Sequence, residues 1–97
     1  MEVKRVKSDN GLTKYEVVGS NHIRITAPYN YSSSSSSWTI RIPDLSSPTP
    51  HGGYATRAIY FSRTLGGIKE VLSRFSSAEE LFGAYYKSRL EGKTQLF

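Results

Sequence analysis

The chain of 97 residues contains no cysteine and no long apolar segment. Without thiols it forms neither a disulfide scaffold nor a zinc site built on thiolates, and it has no cysteine nucleophile. No apolar run approaches the roughly 20 residues that a membrane-spanning helix needs, and residues 1–5 lead into no apolar core of a signal peptide. The sequence therefore predicts a cytoplasmic protein without a membrane partner.

Motifs for catalysis and metal binding are also missing. The chain lacks a G-x-S-x-G nucleophile elbow, an H-x-x-x-H pair, an EF-hand loop and a glycine-rich phosphate loop. These absences predict a protein that is not an enzyme and that holds no metal and no cofactor. One catalytic alternative stays open. His22 and His51 are candidates for the acid and base of a small ribonuclease-like toxin, if both reach one phosphodiester.

The first two thirds of the chain show the period of two that is typical of β-strands. Ile23 and Ile25 alternate with polar residues, and so do Trp38, Ile40 and Ile42. The predicted strands are residues 3–7, 12–18, 22–27, 38–42 and 54–61. In the last of these strands, Tyr54, Thr56, Ala58 and Tyr60 are expected on one face, and Ala55, Arg57, Ile59 and Phe61 on the other.

The last third of the chain has the period of a helix. One helix is predicted behind an N-cap at Thr64, because apolar residues follow it at helical spacing. A second is predicted behind Ser77, which forms the pattern of a capping box with Glu80. The buried stripe of the first is Ile68, Val71, Leu72 and Phe75, and that of the second is Leu81, Phe82, Tyr85, Tyr86 and Leu90. Residues 93–97 are expected to fray.

Strands first and helices last predict an α+β fold rather than a parallel sheet with alternating helices. We expect one domain over residues 1–97, with an antiparallel sheet of four to five strands and one or two C-terminal helices packed on one face. A run of six serines and a segment rich in proline and glycine predict long mobile loops at about 28–37 and 43–53.

The charge balance is basic, with 13 Lys and Arg against 8 Asp and Glu, which gives a net charge of +5. Most of the excess falls in residues 1–63, the predicted sheet region. A basic domain attracts polyanions, such as nucleic acid or an acidic patch on a protein. A charge of this size is also ordinary for solubility. It excludes a DNA mimic, because such a protein needs a strongly acidic surface.

Candidate binding residues lie on the outward face of the predicted sheet and in the loops. Cations on a rigid sheet can contact phosphate oxygens, and tyrosines beside a serine-rich loop can stack on bases or anchor a protein partner. A histidine next to two glycines can border a nest of amides that holds an anion. The candidates are Lys14, Arg24, Arg41, Arg57, Tyr29, Tyr31 and His51. The plain alternative is the solvated side of a half-buried sheet.

The leading functional prediction is a small non-enzymatic protein that binds DNA or RNA through its basic sheet face. The alternative is a protein-binding inhibitor or regulator, such as a phage-encoded antagonist of a host nucleic-acid machine of the anti-CRISPR type. Its target would be an acidic surface of a host protein or ribonucleoprotein. Nucleic-acid binding requires Arg24 and Arg41 on one open face without carboxylate partners. An inhibitor requires an exposed apolar patch, and a ribonuclease requires convergence of His22 and His51.

Overall fold

The computed structural model describes residues 1–7, 13–28 and 37–97. Strands precede helices along the chain, which confirms the predicted α+β class. The elements are β1 (Val3–Lys7), β2 (Thr13–Val17), β3 (Arg24–Thr26), β4 (Trp38–Pro48), β5 (Tyr54–Ser62), α1 (Leu65–Ser73) and α2 (Ala78–Leu90). Tyr29, Tyr31 and most of the predicted loop at 28–37 lie outside the described residues. Neither α1 nor α2, the helices in the described part, is long and apolar enough to cross a membrane.

The five strands form one sheet in the order β1-β2-β3-β4-β5, and every neighbouring pair is antiparallel. Pairing is uneven across this sheet. β2 and β3 share a single pair, Glu16 with Arg24, whereas β4 and β5 pair over most of their length. The sheet is therefore continuous but loosely joined between β2 and β3.

The hydrophobic core lies between one face of the sheet and the two helices. Ile23, Ile40 and Ile42 are buried there, as their alternation with polar residues predicts. Trp38 is half-buried and its ring meets that of Tyr15 edge-on at 5.5 Å. The buried cluster comprises Val17, Ile23, Ile40, Ile42, Ile59, Ile68, Val71, Leu72, Phe75, Leu81, Tyr85 and Leu96.

Both predicted N-caps are confirmed. The Thr64 side chain accepts a hydrogen bond from the Gly67 amide at 3.1 Å, and that of Ser77 accepts one from the Glu80 amide at 3.2 Å. The Glu80 carboxylate bonds to the amide and hydroxyl of Ser76, not to the Ser77 amide as a capping box would have it. Both hydrogen bonds stabilise the charged carboxylate and so lower the pKa of Glu80, and the bond from the Ser76 hydroxyl has the larger effect.

The predicted buried side of α2 is wrong at two positions. Leu81 and Tyr85 are buried, but Tyr86 is 39% exposed and Leu90 is 90% exposed. Leu90 lies nine residues after Leu81, which at about 100° per residue places it on the opposite side of the helix. The helix α2 therefore carries apolar side chains on its exposed side as well as on its buried side.

The prediction that residues 93–97 fray is also wrong. Leu96 is 3% exposed, and its amide donates a hydrogen bond to the Ile59 carbonyl of β5 at 2.8 Å. The buried hydroxyl of Ser88 donates to the Leu96 carbonyl at 2.7 Å. This segment therefore covers part of the outer edge of β5, where an uncovered strand leaves backbone groups unpaired.

The hairpin between β4 and β5 is longer than expected. β4 continues to Pro48, so the loop predicted at 43–53 is shortened to residues 49–53. The register shifts between Pro43 and Pro48, and such an irregularity allows a strand to contain prolines that cannot donate to the ladder. Gly52 and Gly53 adopt positive φ angles in the turn, where glycine is the favoured residue.

Two helical glycines should respond in opposite directions to alanine. Gly83 faces open space in the middle of α2, so Gly83→Ala should raise the free energy of unfolding by about 0.5–1 kcal/mol. A Cβ at Gly67 would lie within 3.1 Å of the Ser62 Cβ and closer still to its hydroxyl oxygen. Gly67→Ala should therefore lower the free energy of unfolding by about 1–3 kcal/mol. Urea unfolding of both variants tests this, and the same sign of change in both would contradict it.

Candidate functional site

The open face of the sheet, opposite the helices, carries two cross-strand pairs of polar residues. Arg24 of β3 pairs with Arg41 of β4, and Thr26 pairs with Thr39. Directly paired residues of antiparallel strands project to the same face. The residues between them, Ile25 and Ile40, belong to the side packed against the core, so these four point away from the helices. We call Arg24, Arg41, Thr26 and Thr39 the Arg–Thr array.

Arg24 and Arg41 are like charges in directly opposed positions. Such a pair destabilises a sheet, because its Cβ atoms lie only about 5 Å apart. Within residues 1–7, 13–28 and 37–97, no carboxylate forms a salt bridge with either arginine. The Arg41 guanidinium reaches away from Arg24 to Thr56 on β5. A polyanion that lies across β3, β4 and β5 would form charge-assisted hydrogen bonds with both groups.

The guanidinium of Arg41 is held in position by β5. Its Nε donates to the Thr56 hydroxyl oxygen and one Nη donates to the Thr56 carbonyl, both at 3.1 Å. A guanidinium has five N–H donors, so these two bonds leave three for another acceptor. Because the group is already oriented, it loses less conformational entropy than a free side chain when it binds an anion.

A single row of charges crosses the open face through Arg41. Arg41 pairs with Arg24, Arg24 with Glu16, and Glu16 with Lys4, across β4, β3, β2 and β1. The Glu16 carboxylate lies 3.3 Å from the Nζ of Lys14, and both side chains are about half exposed. Such an exposed pair contributes little stability and is screened by salt. Glu16 thus partly offsets the charge of Lys14 and is directly opposite Arg24, whereas Arg41 has no acidic residue among its described cross-strand partners.

The weak junction between β2 and β3 opens a groove beside Arg24. It has a volume of about 780 Å³, and its charged lining consists of three cations and one carboxylate: Lys4, Lys14, Arg24 and Glu16. This groove joins the open face at the row of charges, because Lys4 and Arg24 belong to both. Cationic side chains therefore extend from the array across β2 to β1.

Phe61 also lies on the open face, which the alternation of the sequence does not predict. Tyr60 pairs with Ile40 but Ala58 pairs with Arg41, so β5 contains one extra residue, Ile59, which is buried. Phe61 pairs with Thr39 and is 45% exposed. Strict alternation groups Phe61 with Ile59 and Arg57. The bulge separates them, and no local sequence signal marks its position.

Arg57 lies apart from the Arg–Thr array. It pairs with Ile42, whose side chain enters the core, and its Nε lies 3.0 Å from the Asp44 carboxylate. Asp44 is buried and also accepts hydrogen bonds from the amide and hydroxyl of Ser46. The bonds from Ser46, followed by the charge of Arg57, hold the pKa of Asp44 below its ordinary value. Arg57 therefore stabilises the β4–β5 hairpin.

The two histidines occupy different parts of the molecule. His22 is exposed two residues before Arg24, and it borders a cavity of about 300 Å³ near the start of α2. His51 is exposed in the turn after Pro48, which lies seven residues beyond Arg41 on β4. The turn is thus about five residues, or about 16 Å, further along the sheet than His22. This separation gives no support to a shared acid–base site.

Exposed apolar side chains are scattered over the described surface, and two are neighbours. Tyr86 and Leu90, one helical turn apart, lie on the outer side of α2. The full set of large exposed ones is Val18, Leu45, Tyr54, Phe61, Tyr86, Leu90 and Phe97. In the same described ranges, no group of three or more His, Asp or Glu side chains could hold a metal ion.

Comparison with known proteins gives no relative from which a function could be transferred. No protein-family model matches the chain. Comparisons with curated proteins and with solved structures also give no significant match. A function for this chain is therefore inferred from the chemistry of its open sheet face.

Proposed function

We propose that this chain is a non-enzymatic protein that binds DNA or RNA through the Arg–Thr array. One observation carries the proposal: Arg24 and Arg41 oppose each other directly on the open face and have no salt bridge to a described carboxylate. Guanidinium groups match phosphate oxygens in a forked geometry. The hydroxyls of Thr26 and Thr39, in the adjacent pair, supply further donors to phosphate.

The distribution of charge supports a polyanionic ligand on this side of the molecule. The net charge is +5, and residues 64–97, which contain both helices, contribute only five basic against four acidic side chains. Most of the positive field therefore comes from the part of the chain that forms the sheet. Such a field accelerates the encounter with a polyanion and weakens as salt is added. The proposed location is the cytoplasm, where both nucleic acids are accessible.

The second candidate is a protein-binding inhibitor or regulator, of the kind that antagonises a host nucleic-acid machine. The observation that favours it is the exposure of Tyr86 and Leu90 on one side of α2. Aromatic and aliphatic side chains of this kind can anchor a protein interface. The pair is small, however, and it lies away from the array, so the first candidate explains more of the surface.

The first candidate is tested by fluorescence anisotropy with labelled single-stranded DNA, duplex DNA and RNA at low and physiological salt. We expect affinity that falls with added salt for the wild type. The double variant Arg24→Glu/Arg41→Glu should bind about 100-fold more weakly, because two charge-assisted contacts are lost and replaced by repulsion. It should also reduce the slope of log affinity against log salt by about two.

The matched control is Lys69→Glu/Lys87→Glu, which changes the net charge by the same amount at exposed positions on α1 and α2. It weakens the overall field equally but leaves the array intact, so we expect a loss of about threefold or less. If the two double variants lost the same amount of affinity, the effect would be explained by net charge alone and not by the Arg–Thr array. Millimolar binding by the wild type would refute nucleic-acid binding and direct attention to Tyr86 and Leu90.

A further inference from the structure

We propose that the nucleic acid bound by the open face is single-stranded, and that Phe61 stacks against one of its bases. This inference rests on the proposed function and adds the class of ligand and a contact residue. In this arrangement Arg24 and Arg41 contact the phosphate backbone of the strand, while the ring of Phe61 stacks on a neighbouring base. The two kinds of contact together recognise a flexible strand with accessible bases.

Phe61 presents an accessible ring at the right place on the sheet. Its side chain is 45% exposed, and it pairs with Thr39 of the Arg–Thr array. The ring pairs found in the described part of the chain are Tyr15–Trp38, Tyr60–Phe97 and Tyr85–Tyr86, so Phe61 stacks on no described aromatic residue. Nearly half of the Phe61 side chain is accessible to a ligand.

The neighbours of Phe61 leave room for a base and place a phosphate contact nearby. Ala58, on the same strand, pairs with Arg41 and carries only a methyl group. Phe61 and Arg41 occupy diagonal positions across β4 and β5. The Arg41 guanidinium extends to Thr56, so Ala58 lies between it and Phe61. A base above Ala58 can thus touch the Phe61 ring while its phosphate reaches the oriented guanidinium of Arg41.

The dimensions of the sheet favour a single strand over a duplex. Four spacings between the five strands give a width of about 19 Å, whereas the major groove of B-DNA is about 12 Å wide. In a duplex each base is stacked between its neighbours, so its π-face is closed to a protein side chain. A sheet surface with an exposed ring can contact unstacked bases, and the cations beside the ring can follow the backbone.

The test compares Phe61→Ala with the wild type on a short labelled single-stranded oligonucleotide and on the corresponding duplex. We expect the variant to bind the single strand about tenfold more weakly, because one stacking contact between a base and an aromatic ring is lost. Duplex affinity should be unchanged. Phe61→Leu, which keeps apolar volume without a flat ring, should lose as much as alanine, and Phe61→Trp should retain or strengthen binding.

Three controls separate the effect of stacking from effects of charge and of folding. Tyr86→Ala removes an exposed aromatic ring on the helix side and should leave single-strand affinity unchanged. An oligonucleotide with abasic sites keeps its phosphates but offers no base to stack. The wild type and Phe61→Ala should therefore bind this oligonucleotide with equal affinity. Thermal unfolding of Phe61→Ala should match that of the wild type, because the side chain is outside the core.

The outcomes separate this inference from the proposed function. If Phe61→Ala binds the single strand as tightly as the wild type while Arg24→Glu/Arg41→Glu does not bind, stacking is refuted and nucleic-acid binding stands. Tighter binding of duplex than of single strand by the wild type also overturns the inference. If the wild type binds neither form, the proposed function itself fails.

Discussion

We expect Leu96→Ala to lower the free energy of unfolding by about 2–5 kcal/mol, the range for removing a buried leucine side chain. Leu96 is 3% exposed and belongs to the same cluster as Ile59 and Leu81. The alanine would leave a cavity between the sheet and the C-terminal segment. Without the leucine side chain as an anchor, the hydrogen bond from the amide of residue 96 to the Ile59 carbonyl would also be weaker. The total free energy of unfolding of a small domain is only about 5–15 kcal/mol, so the midpoint of urea unfolding should shift clearly to lower urea concentration.

Leu90→Ala is the matched control for Leu96→Ala. It makes the same chemical change six positions away, but Leu90 is 90% exposed. We expect a change within about 0.5 kcal/mol, as for surface substitutions away from special features. Equal losses in the two leucine variants would mean that residues 93–97 do not pack on β5 as described.

We expect Asp44→Asn to lower the free energy of unfolding by about 2–3 kcal/mol near neutral pH. The Asp44 carboxylate is 8% exposed and accepts hydrogen bonds from Ser46 and Arg57, of the strength typical for charged acceptors. Asparagine cannot accept all of them and cannot neutralise Arg57. The Arg57 side chain is 41% exposed and can return to water, so the loss should stay below that of a fully buried pair.

The pH dependence gives this prediction a sign as well as a size. The pKa of Asp44 lies below its ordinary value of 3.8 in the folded protein, so the unfolded chain binds the proton more tightly. The stabilisation from the Asp44 charge is therefore complete above about pH 5, begins to fall near the unfolded value of 3.8 and is lost as pH falls through the lower folded pKa. Urea unfolding of both proteins across this range should show the gap between wild type and Asp44→Asn narrowing in acid. A gap that stays constant would disprove the assignment.

The Arg24–Arg41 pair stands apart from the interactions that stabilise the fold. The core alternation, the helix caps and the Asp44–Arg57 pair each agree with local physical rules. Two arginines in direct opposition break the rule for cross-strand charges. Violations of this kind are expected where a residue serves binding rather than stability.

Several elements follow from the sequence because their cause is local. The alternation of Ile23 with Ile25, and of Ile40 with Ile42, directs one side of each strand inward wherever the strand lies in the sheet. Thr64 and Ser77 cap helices because their hydroxyls reach backbone amides three residues on. Arg24 and Arg41 follow the same logic, since each is flanked by residues that enter the core.

The remaining features depend on contacts between distant parts of the chain. Phe61 reaches the open face because β5 is bulged where it pairs with β4, and a bulge reverses the expected alternation on one side of it. Arg57 is directed to Asp44 by the same shift. Leu96 is buried because the edge of β5 offers an unpaired carbonyl and an apolar site, which nothing in residues 93–97 indicates.

The sequence by itself determined the fold class, the inward sides of the central strands, the helix caps and the basic character of the outward face. Each of these depends on residues a few positions apart, whose geometry is set by the backbone period. Only the tertiary structure decided that Arg24 and Arg41 oppose each other, that Phe61 joins them and that Arg57 does not. Strand order and register bring these residues together, and both are set by packing across the whole sheet.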